Sequence, residues 1–210
     1  ARALTLLMPP QHGQVLFEGR SVLGLHGTAL VDYRAQMQLV FQDPMSALNP
    51  RLPVGVSVSR PAQVLGLLTG LSAAALAALM LEKVGLSPSL AERYPHELSG
   101  GQRQRINIAR ALALRPRALI ADEITSGLDV SAQARIVVLL RQLCAQDSLG
   151  LIFISHDLSL VRSLCDHIVL LQAGRVVESA STERLFNAPE QAYTRRLLDA
   201  IPLPVPDAHW

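Results

Sequence analysis

The chain has 210 residues, of which half are hydrophobic and 17% are charged. This composition excludes intrinsic disorder and a long coiled coil and leaves room for one sizeable core, or for a core with a small subdomain. Its 19 Lys and Arg residues nearly balance 17 Asp and Glu residues, for a formal net charge of +2, so the chain lacks the strongly basic surface typical of nucleic-acid binding and we expect no nucleic-acid partner.

The two cysteines, Cys144 and Cys165, form neither a disulfide framework nor a metal-binding spacing, which favours a reducing cytosolic environment. Residues 61–81 carry no charge and have the length of a membrane span. However, they include polar residues, glycines and many alanines, which contribute little to membrane transfer. We predict instead two packed helices that break near Gly70, with Ser72 as the N-cap of the second.

Short apolar runs alternate with helical patterns along the chain, as in an α/β domain. Six runs are predicted as strands, at residues 14–18, 37–41, 118–122, 150–155, 167–171 and 176–178. The runs 118–121 and 151–154 are continuously apolar, which is typical of strands buried on both faces of a parallel sheet. After Ser131 a helix is predicted to about residue 145. Its buried face would consist of Ile136, Leu139, Leu140 and Leu143, at helical spacing.

The order of these elements predicts a single α/β domain over residues 1–210 with one insertion. About seventy residues between the second and third strands read as helical, and we predict a helical subdomain over residues 45–115. Residues 188–210 are predicted as a C-terminal extension, in which three prolines after Ile201 favour extended structure.

Two adjacent carboxylates, Asp122 and Glu123, end the apolar run at 118–121. Ligands of open α/β sheets bind at the carboxyl ends of parallel strands, which is where these side chains are expected. Asp122 would suit Mg²⁺ ligation there, and Glu123 would suit polarisation of an attacking water. The alternative is a helix-capping pair in an ordinary strand-to-helix turn, and the pair alone does not decide between the two.

A glycine pair follows Ser99 just before a predicted helix, in the sequence Ser99-Gly100-Gly101-Gln102. Ser99 suits the N-cap position, and glycines let the backbone approach an anion closely. The free N–H groups of the first turn and the helix dipole would then attract a phosphate. Read alone, the same residues also fit an ordinary loop before an amphipathic helix.

Further polar residues follow predicted strands. Gln42 comes after the run that ends at residue 41, and His156 follows the run that ends at residue 155. A glutamine there can complete a Mg²⁺ shell, and a histidine can donate a hydrogen bond to a terminal phosphate. Each of the two, and the turn at 126–129 that ends in Asp129, is more often an ordinary loop residue when it occurs alone.

Taken in chain order, these segments resemble the nucleotide-binding subunit of the ATP-binding cassette (ABC) superfamily. They correspond to its Q-loop (Gln42), signature loop (residues 98–102), Walker B strand with catalytic glutamate (118–123), D-loop (126–129) and switch histidine (His156). The flanking stretches resemble the branch that energises import of peptides, nickel and similar solutes. The resemblance covers essentially the whole chain and implies a P-loop NTPase-like (RecA-like) α/β fold with a parallel sheet and an inserted helical subdomain.

The resemblance also implies ATP and Mg²⁺ as cofactors and a role for each motif residue. Asp122 and Gln42 would hold the metal, and Glu123 and His156 would be catalytic. The nucleotide would be sandwiched between two cassettes, each of which supplies half of two sites. The residues that bind it would be Gln42, Ser99, Gly100, Gly101, Gln102 and Asp129.

One family motif does not occur in these 210 residues, since no G-x-x-x-x-G-K-[ST] sequence is present and Lys83, the only lysine, lacks the glycines that cradle phosphate. We therefore expect an N-terminally incomplete domain, inactive by itself, in which residues 1–7 correspond to the helix that follows the phosphate loop. Ile124 also stands where family members usually carry proline, and that change would loosen the turn after Glu123.

The expected partners are transmembrane permease subunits, a second ABC ATPase subunit of the same or a related sequence and, indirectly, a solute-binding protein. The expected location is cytoplasmic, on the inner face of the bacterial cell membrane. Two alternatives stay open: a soluble cassette ATPase of DNA repair or translation, and a non-catalytic docking module or degenerate fragment.

Overall fold

The computed structural model describes residues 1–68 and 70–201. They divide into two compact units, one formed by Ala1–Ile154 and one by the described residues from Ser155 onward. The predicted extended structure of the prolines after Ile201 falls outside the described residues. The single domain over 1–210 and the bounds of its helical subdomain stay predictions.

The first unit is built on a parallel sheet of three strands. They are β3 (Met37–Val40), β4 (Ala118–Asp122) and β5 (Gly150–Ile154), in the order β3-β4-β5. Ala121 of β4 pairs with Val40 on one side and Phe153 on the other. Because the strands are parallel and in this register, all three end at the same edge of the sheet. The predicted strands at 37–41, 118–122 and 150–155 are confirmed to within a residue.

The two apolar strands differ in burial. Leu119, Ile120 and Ala121 of β4 are 0% exposed, as predicted. The prediction of two-sided burial is wrong for β5, where Ile152 is 39% exposed. The reason is position, because β5 pairs with β4 alone among the described residues and forms an edge of the sheet.

Helices fill the rest of the first unit. They are α1 (Gly27–Gln36), α2 (Pro44–Ala47), α3 (Val54–Val64), α4 (Ala73–Lys83), α5 (Gly100–Leu112) and α6 (Val130–Asp147). Single 3-10 turns at Pro88–Glu92 and Pro95–Glu97 lie between α4 and α5. As predicted, the chain between β3 and β4 is helical, and Ser72 caps α4 by accepting a hydrogen bond from the Ala75 N–H (3.1 Å). No helix of the described part of the chain is long and apolar enough to cross a membrane.

Helix α6 confirms the predicted amphipathic pattern, since all four residues of its predicted core face are buried. An ion pair joins its last residue, Asp147, to Lys83 at the end of α4, with 2.8 Å between Nζ and Oδ2. The Arg105 side chain adds a hydrogen bond to the Gly85 carbonyl oxygen (3.0 Å). The ion pair attaches the inserted helix α4 to α6, and the Arg105 bond joins α5 to the residue that follows α4.

The first residues form hydrogen-bonded turns, so the helix implied for residues 1–7 is wrong here. The Thr5 N–H donates to the Ala1 carbonyl (3.3 Å), and Leu6 has a φ of +55°, in the left-handed region. A helix this short has an unfavourable nucleus, and the Pro-Pro pair at 9–10 keeps the following chain from extending it.

A short hairpin follows, of strands β1 (Leu16–Phe17) and β2 (Arg20–Ser21). The predicted strand at 14–18 is therefore shorter than expected, and β2 was not predicted. Glu18 and Gly19 between the strands both have positive φ, as a two-residue hairpin turn of type I′ requires.

The second unit contains helix α7 (Leu158–Leu164), strands β6 (His167–Gln172) and β7 (Arg175–Ser181), and helices α8 (Thr182–Asn187) and α9 (Ala192–Asp199). The two strands form an antiparallel hairpin with a register shift between Leu170 and Leu171. Both predicted strands are present, and β7 extends beyond the predicted 176–178 on either side.

A buried carboxylate attaches α9 to this hairpin. Glu178 of β7 accepts hydrogen bonds from the N–H groups of Glu190 (2.9 Å) and Gln191 (3.1 Å), and from the Thr194 hydroxyl. The Thr194 bond first, and then the Glu190 bond, hold the pKa of the Glu178 carboxyl below its ordinary value. The charged carboxylate is therefore the form that stabilises the folded unit.

Glu178→Gln should destabilise the chain at neutral pH, because a neutral amide accepts these hydrogen bonds more weakly. A carboxyl whose pKa is lowered by folding stabilises fully above its ordinary pKa of about 4.3, and this contribution is lost as the pH falls through the lowered value. In urea unfolding, the gap in unfolding free energy between wild type and variant should be present at pH 7 and shrink as the pH falls below the ordinary pKa of about 4.3. The matched control is Glu183→Gln, at an exposed glutamate of α8. A Glu178 gap that does not change with pH would contradict this role of the charge.

Candidate functional site

The carboxylate pair lies at the carboxyl end of the central strand. Asp122 is the last residue of β4 and is half-buried. The Glu123 N–H donates to the Ile154 carbonyl of β5 (2.9 Å), and Glu123 has a φ of +49°. A left-handed conformation costs a non-glycine residue about 1–2 kcal/mol, and such strain concentrates at functional sites. The hydrogen bond to Ile154 thus fixes the backbone of Glu123 at the point where β4 passes into the following turn.

Gln42 follows the neighbouring strand at the same edge of the sheet. Strand β3 ends at Val40, so Gln42 is two residues beyond it, and its side chain is exposed. The next residue, Asp43, caps α2 by accepting hydrogen bonds from the N–H groups of Met45 (2.9 Å) and Ser46 (3.3 Å). The cap begins a helix directly after Gln42 and limits how far this loop can move.

The glycine-containing loop forms the start of α5. Ser99 is the N-cap: its hydroxyl accepts from the Gln102 N–H (3.3 Å), and the Gln102 side chain accepts from the Ser99 N–H (2.9 Å). This capping box occupies two N–H groups of the helix start. The N–H groups of Gly100 and Gly101 are left without an acceptor inside the helix, as at any helix N-terminus. They are the donors that this end of α5 can offer to an anion.

A cavity of about 160 Å³ lies between the start of α5 and the turn that leads into α6. It brings together four of the predicted site residues, Ser99, Gly100, Gly101 and Asp129. The remaining lining residues are Arg105, Gly127, Leu128, Ala132 and Arg135. The signature-like loop and the turn at 126–129 therefore form one surface within a single chain.

The glycines permit this close approach. A Cβ on Gly100 would lie 3.3 Å from Leu128 Cδ2, and one on Gly101 would lie 3.2 Å from Ala132 Cβ. Leu128 has a flexible end that can turn aside, whereas the Ala132 methyl is fixed to helix α6. Of the two glycines, Gly101 is therefore the more tightly restricted by packing.

Two arginines make the cavity electropositive. Burial first, and then the charge of Arg135, lower the pKa of the Arg105 guanidinium. On the opposite side, the Asp129 carboxylate accepts hydrogen bonds from the Ala132 N–H (2.8 Å) and the Ser131 hydroxyl (2.8 Å). These bonds hold the pKa of Asp129 below its ordinary value. Sequence reasoning missed Arg135, although it lies two helical turns after Asp129, the residue that caps the same helix.

His156 belongs to the second unit, just before α7. The residues on either side of it form a hydrogen-bonded turn, in which the Asp157 N–H donates to the Ser155 hydroxyl oxygen (3.0 Å). Asp157 then caps α7 by accepting from the N–H groups of Ser159 (2.9 Å) and Leu160 (3.3 Å). His156 itself is exposed, so its imidazole lies at the surface of this unit.

A larger groove, of about 740 Å³, was not expected from the sequence. Tyr94 and His96 stack in it, with ring centroids 5.8 Å apart and planes 20° from parallel. It is also lined by Pro50, Ser89, Leu90, Glu92, Arg93 and Glu97. The signal in the sequence is Tyr94-Pro95-His96, in which two rings flank a proline shortly before the N-cap Ser99.

The donor set at the sheet edge fits a magnesium ion in its chemistry. Asp122 offers a carboxylate and Gln42 offers an amide oxygen, both hard oxygen donors of the kind that Mg²⁺ prefers. No cluster of three or more His, Cys, Asp or Glu side chains occurs among the residues that the structure describes. Mg²⁺ commonly takes one or two protein ligands and completes its shell with water and substrate phosphates. A small donor set is therefore sufficient for a nucleotide-bound metal.

The architecture described so far is that of an α/β domain with a parallel sheet, with acidic and polar groups at the ends of its strands. Residues 1–126 match the family model described as ABC transporter. The chain therefore belongs to the ABC transporter family, as the motif order predicted.

Curated relatives cover nearly the whole chain. It is 47% identical to a probable peptide ABC transporter ATP-binding protein of Sinorhizobium fredii, over 98% of this chain and 58% of that protein. It is 45% identical to a putative peptide import ATP-binding protein of Brucella ovis, over 99% of this chain and 65% of the relative. With a glutathione import ATP-binding protein of Pectobacterium atrosepticum the identity is 43%, over 98% and 33%. The chain thus spans less than two thirds of the length of these relatives.

Solved structures confirm the fold class. The dimeric ATP-binding cassette MJ0796 bound to ADP and Pi superposes with a TM-score of 0.75 and 28% identity, over 86% of this chain and 78% of that chain. A second is cbiO1 of Clostridium perfringens, part of the ABC transporter complex cbiONQ, with a TM-score of 0.77 and 25% identity, over 96% and 78%. The predicted P-loop NTPase-like α/β fold is confirmed.

Gly101→Ala should destabilise the chain by about 1–3 kcal/mol, the usual cost of overpacking, because the new methyl would press on Ala132. Gly100→Ala is the matched control and should cost less, since the end of Leu128 can rotate away. The double variant Gly101→Ala with Ala132→Gly should recover part of the loss. Urea unfolding of the wild type, Gly101→Ala, Ala132→Gly and the double variant measures this coupling. Additive effects in the cycle would contradict the contact.

Proposed function

We propose that this chain is the ATP-binding and ATP-hydrolysing part of an ABC importer for peptides or similar small solutes. The observation that carries the proposal is the Asp122-Glu123 pair at the end of β4, beside the strand that leads to Gln42, in a chain of the ABC family. Carboxylates at that edge of a parallel sheet are suited to phosphoryl transfer.

Each residue at the sheet edge has a distinct proposed role. Asp122 and the Gln42 amide oxygen hold Mg²⁺, which when bound neutralises negative charge on the phosphates. Glu123 accepts a hydrogen bond from the attacking water and orients it toward the terminal phosphorus. His156 donates a ring N–H to an oxygen of the terminal phosphate as negative charge shifts there.

A second cassette completes the site in this proposal. The Ser99 hydroxyl and the N–H groups of Gly100 and Gly101 bind the terminal phosphate of a nucleotide held by the partner, with Gln102 and Asp129 beside them. Two observations support this arrangement: the electropositive cavity next to Ser99 and the dimeric form of the related cassette MJ0796. Closing and reopening of the dimer would then drive transport.

The names of the relatives favour import over the alternative of a soluble DNA-repair or translation ATPase. Three similar proteins are named as ATP-binding proteins of peptide transport, peptide import and glutathione import. The proposed location is therefore the cytoplasmic face of the bacterial membrane, against permease subunits and, through them, a solute-binding protein.

The groove around Tyr94 and His96 is the surface that we propose for the permease. It contains Pro50, from the segment that follows Gln42, so a partner seated there could sense the state of the nucleotide site. Its stacked rings and its charged rim of Glu92, Arg93 and Glu97 suit a short polypeptide segment with both apolar and charged side chains.

Glu123→Gln should abolish ATP hydrolysis and retain ATP binding, because the amide preserves shape and removes the base. A loss of about 10²–10⁴-fold in kcat is expected for a general base. The measurement is phosphate release by the protein assembled with its proposed permease and partner cassette. Glu82→Gln, at an exposed glutamate of α4, is the matched control. Normal turnover by Glu123→Gln would exclude this role.

Tyr94→Ala should weaken the complex with the permease by about tenfold, because exposed aromatic side chains dominate binding surfaces. ATP hydrolysis by the detached subunit should be unchanged. Co-purification and binding titration with the permease in detergent measure the effect. Leu79→Ala, at an exposed apolar residue of α4 outside the groove, is the control and should bind normally. Equal binding by both variants would place the permease elsewhere.

A further inference from the structure

Helix α5 makes two hydrogen bonds to the segment that follows Gln42. Asn107 Nδ2 donates to the Pro44 carbonyl oxygen (3.3 Å), and Arg110 Nη1 donates to the Ala47 carbonyl oxygen. These two acceptors are the first and last residues of α2. Asn107 and Arg110 are three residues apart in α5 and therefore lie on the same face of the helix.

The segment depends on these contacts for its position. Helix α2 has four residues, and a helix of one turn has no stability of its own in water. Its last carbonyl groups have no acceptor role inside the helix and need outside donors. The Asp43 cap satisfies its first N–H groups. Arg110 supplies an outside donor to the last carbonyl, that of Ala47, and Asn107 adds a donor at the first carbonyl, that of Pro44. Both bind main-chain oxygens, so they fix where the backbone lies whatever side chains it carries.

The donors are buried more deeply than a simple surface contact requires. Asn107 is 2% exposed, and burial lowers the pKa of the Arg110 guanidinium. Burying a guanidinium and an amide is unfavourable unless they are hydrogen-bonded. Apolar side chains fill other buried positions of α5, such as Ile106 and Ile108, which are both 0% exposed.

The neighbouring glutamine shows the contrast. Gln104 lies one turn before Asn107 and is 1% exposed, and neither polar atom of its amide has a hydrogen-bond partner within residues 1–68 and 70–201. It shares the burial of Asn107, whose Oδ1 also has no hydrogen-bond partner in the described part of the chain, but its amide nitrogen does not donate to an α2 carbonyl as Asn107 Nδ2 does. It is therefore a matched control on the same helix face.

We propose that Asn107 and Arg110 are positioning residues that hold the segment after Gln42 against the helix that begins at Ser99. Helix α5 is continuous from Gly100 to Leu112, so its start and these two donors move as one rigid body. Gln42 and the Ser99 loop are then displaced together when either of them engages a ligand. We call Asn107 and Arg110, together with their two acceptor carbonyls, the clamp. The clamp rests on the proposed function in one respect, that the Gln42 and Ser99 loops both act during the same cycle of nucleotide binding and hydrolysis.

The contact itself is tested by hydrogen exchange of the 210-residue chain. Asn107→Leu should speed exchange of the amides of residues 45–48 by about fivefold or more, the factor lost with one hydrogen bond. Exchange in residues 103–112 should stay unchanged. Gln104→Leu should leave residues 45–48 as in the wild type. Equal exchange in all three proteins would overturn the clamp.

A second pair of variants, at Arg110, tests the clamp without relying on the folding of Asn107→Leu. Arg110→Lys retains a donor, and Arg110→Met removes it with similar length. The lysine variant should protect residues 45–48 better than the methionine variant. If the two are equally protected, Arg110 does not hold the segment and the clamp is overturned, even where Asn107→Leu fails to fold.

The positioning role is tested in the intact protein with its permease. Asn107→Leu should lower kcat for ATP hydrolysis about tenfold and change KM for ATP by less than about twofold, as expected for a group acting through another residue. Gln104→Leu should keep both constants. Faster exchange with unchanged kcat would overturn the positioning role and leave the contact established. An intact wild-type protein without ATPase activity would instead refute the proposed function, and the exchange experiment would still decide the clamp.

Discussion

The pairing of β4 with its two parallel neighbours is the constraint on which the rest of the first unit depends. Because Ala121 is opposite both Val40 and Phe153, the chain leaves all three strands at one edge. The completely buried middle of β4 fixes this register, since a shift by one residue would turn apolar side chains to the wrong face. The pairing of the strands thereby places the acidic groups and the amide group at the same edge of the sheet, and no direct contact between these groups is needed.

Helix α5 forms the second half of the arrangement. Its start contributes the Ser99 capping box and the two glycines. Its side chains contact two earlier segments of the chain. Arg103 donates to the Leu98 carbonyl oxygen (2.8 Å) next to the groove, and Asn107 donates to the segment after Gln42. One helix thus touches the cavity beside the glycines, the wall of the larger groove and the loop that leaves the sheet. Under the proposed function, such a helix is suited to relay a local change at the nucleotide to a distant partner.

Much of this could be predicted from the sequence because the signals are local. The uninterrupted apolar run before Asp122 indicated a buried strand, and the serine at position 72 indicated a helix start, as the structure confirms. The edge position of β5 was not predictable, because burial of that strand depends on neighbours that hydrophobicity alone does not specify. The same holds for the turns at residues 1–8, where a helical pattern is too short to nucleate.

The site shows the same division. Motif order located the signature-like loop and the turn ending in Asp129, and the structure brings them to one cavity. Their charge balance was not foreseen, because Arg135 enters only through the packing of α6 against α5. The Tyr94 and His96 stack was missed for a related reason: two aromatic residues in a loop become a surface feature only when the surrounding turns hold their rings parallel.

The ion pair between Lys83 and Asp147 has a practical consequence. Lys83 is the only lysine in the 210 residues, and its side chain is 33% exposed. Amine-directed reagents therefore meet a single side-chain target, at the point where the inserted helices are fastened to α6. Acylation there would remove the positive charge that pairs with Asp147, so one chemical modification would release this attachment of the inserted helices to α6 without any substitution in the sequence.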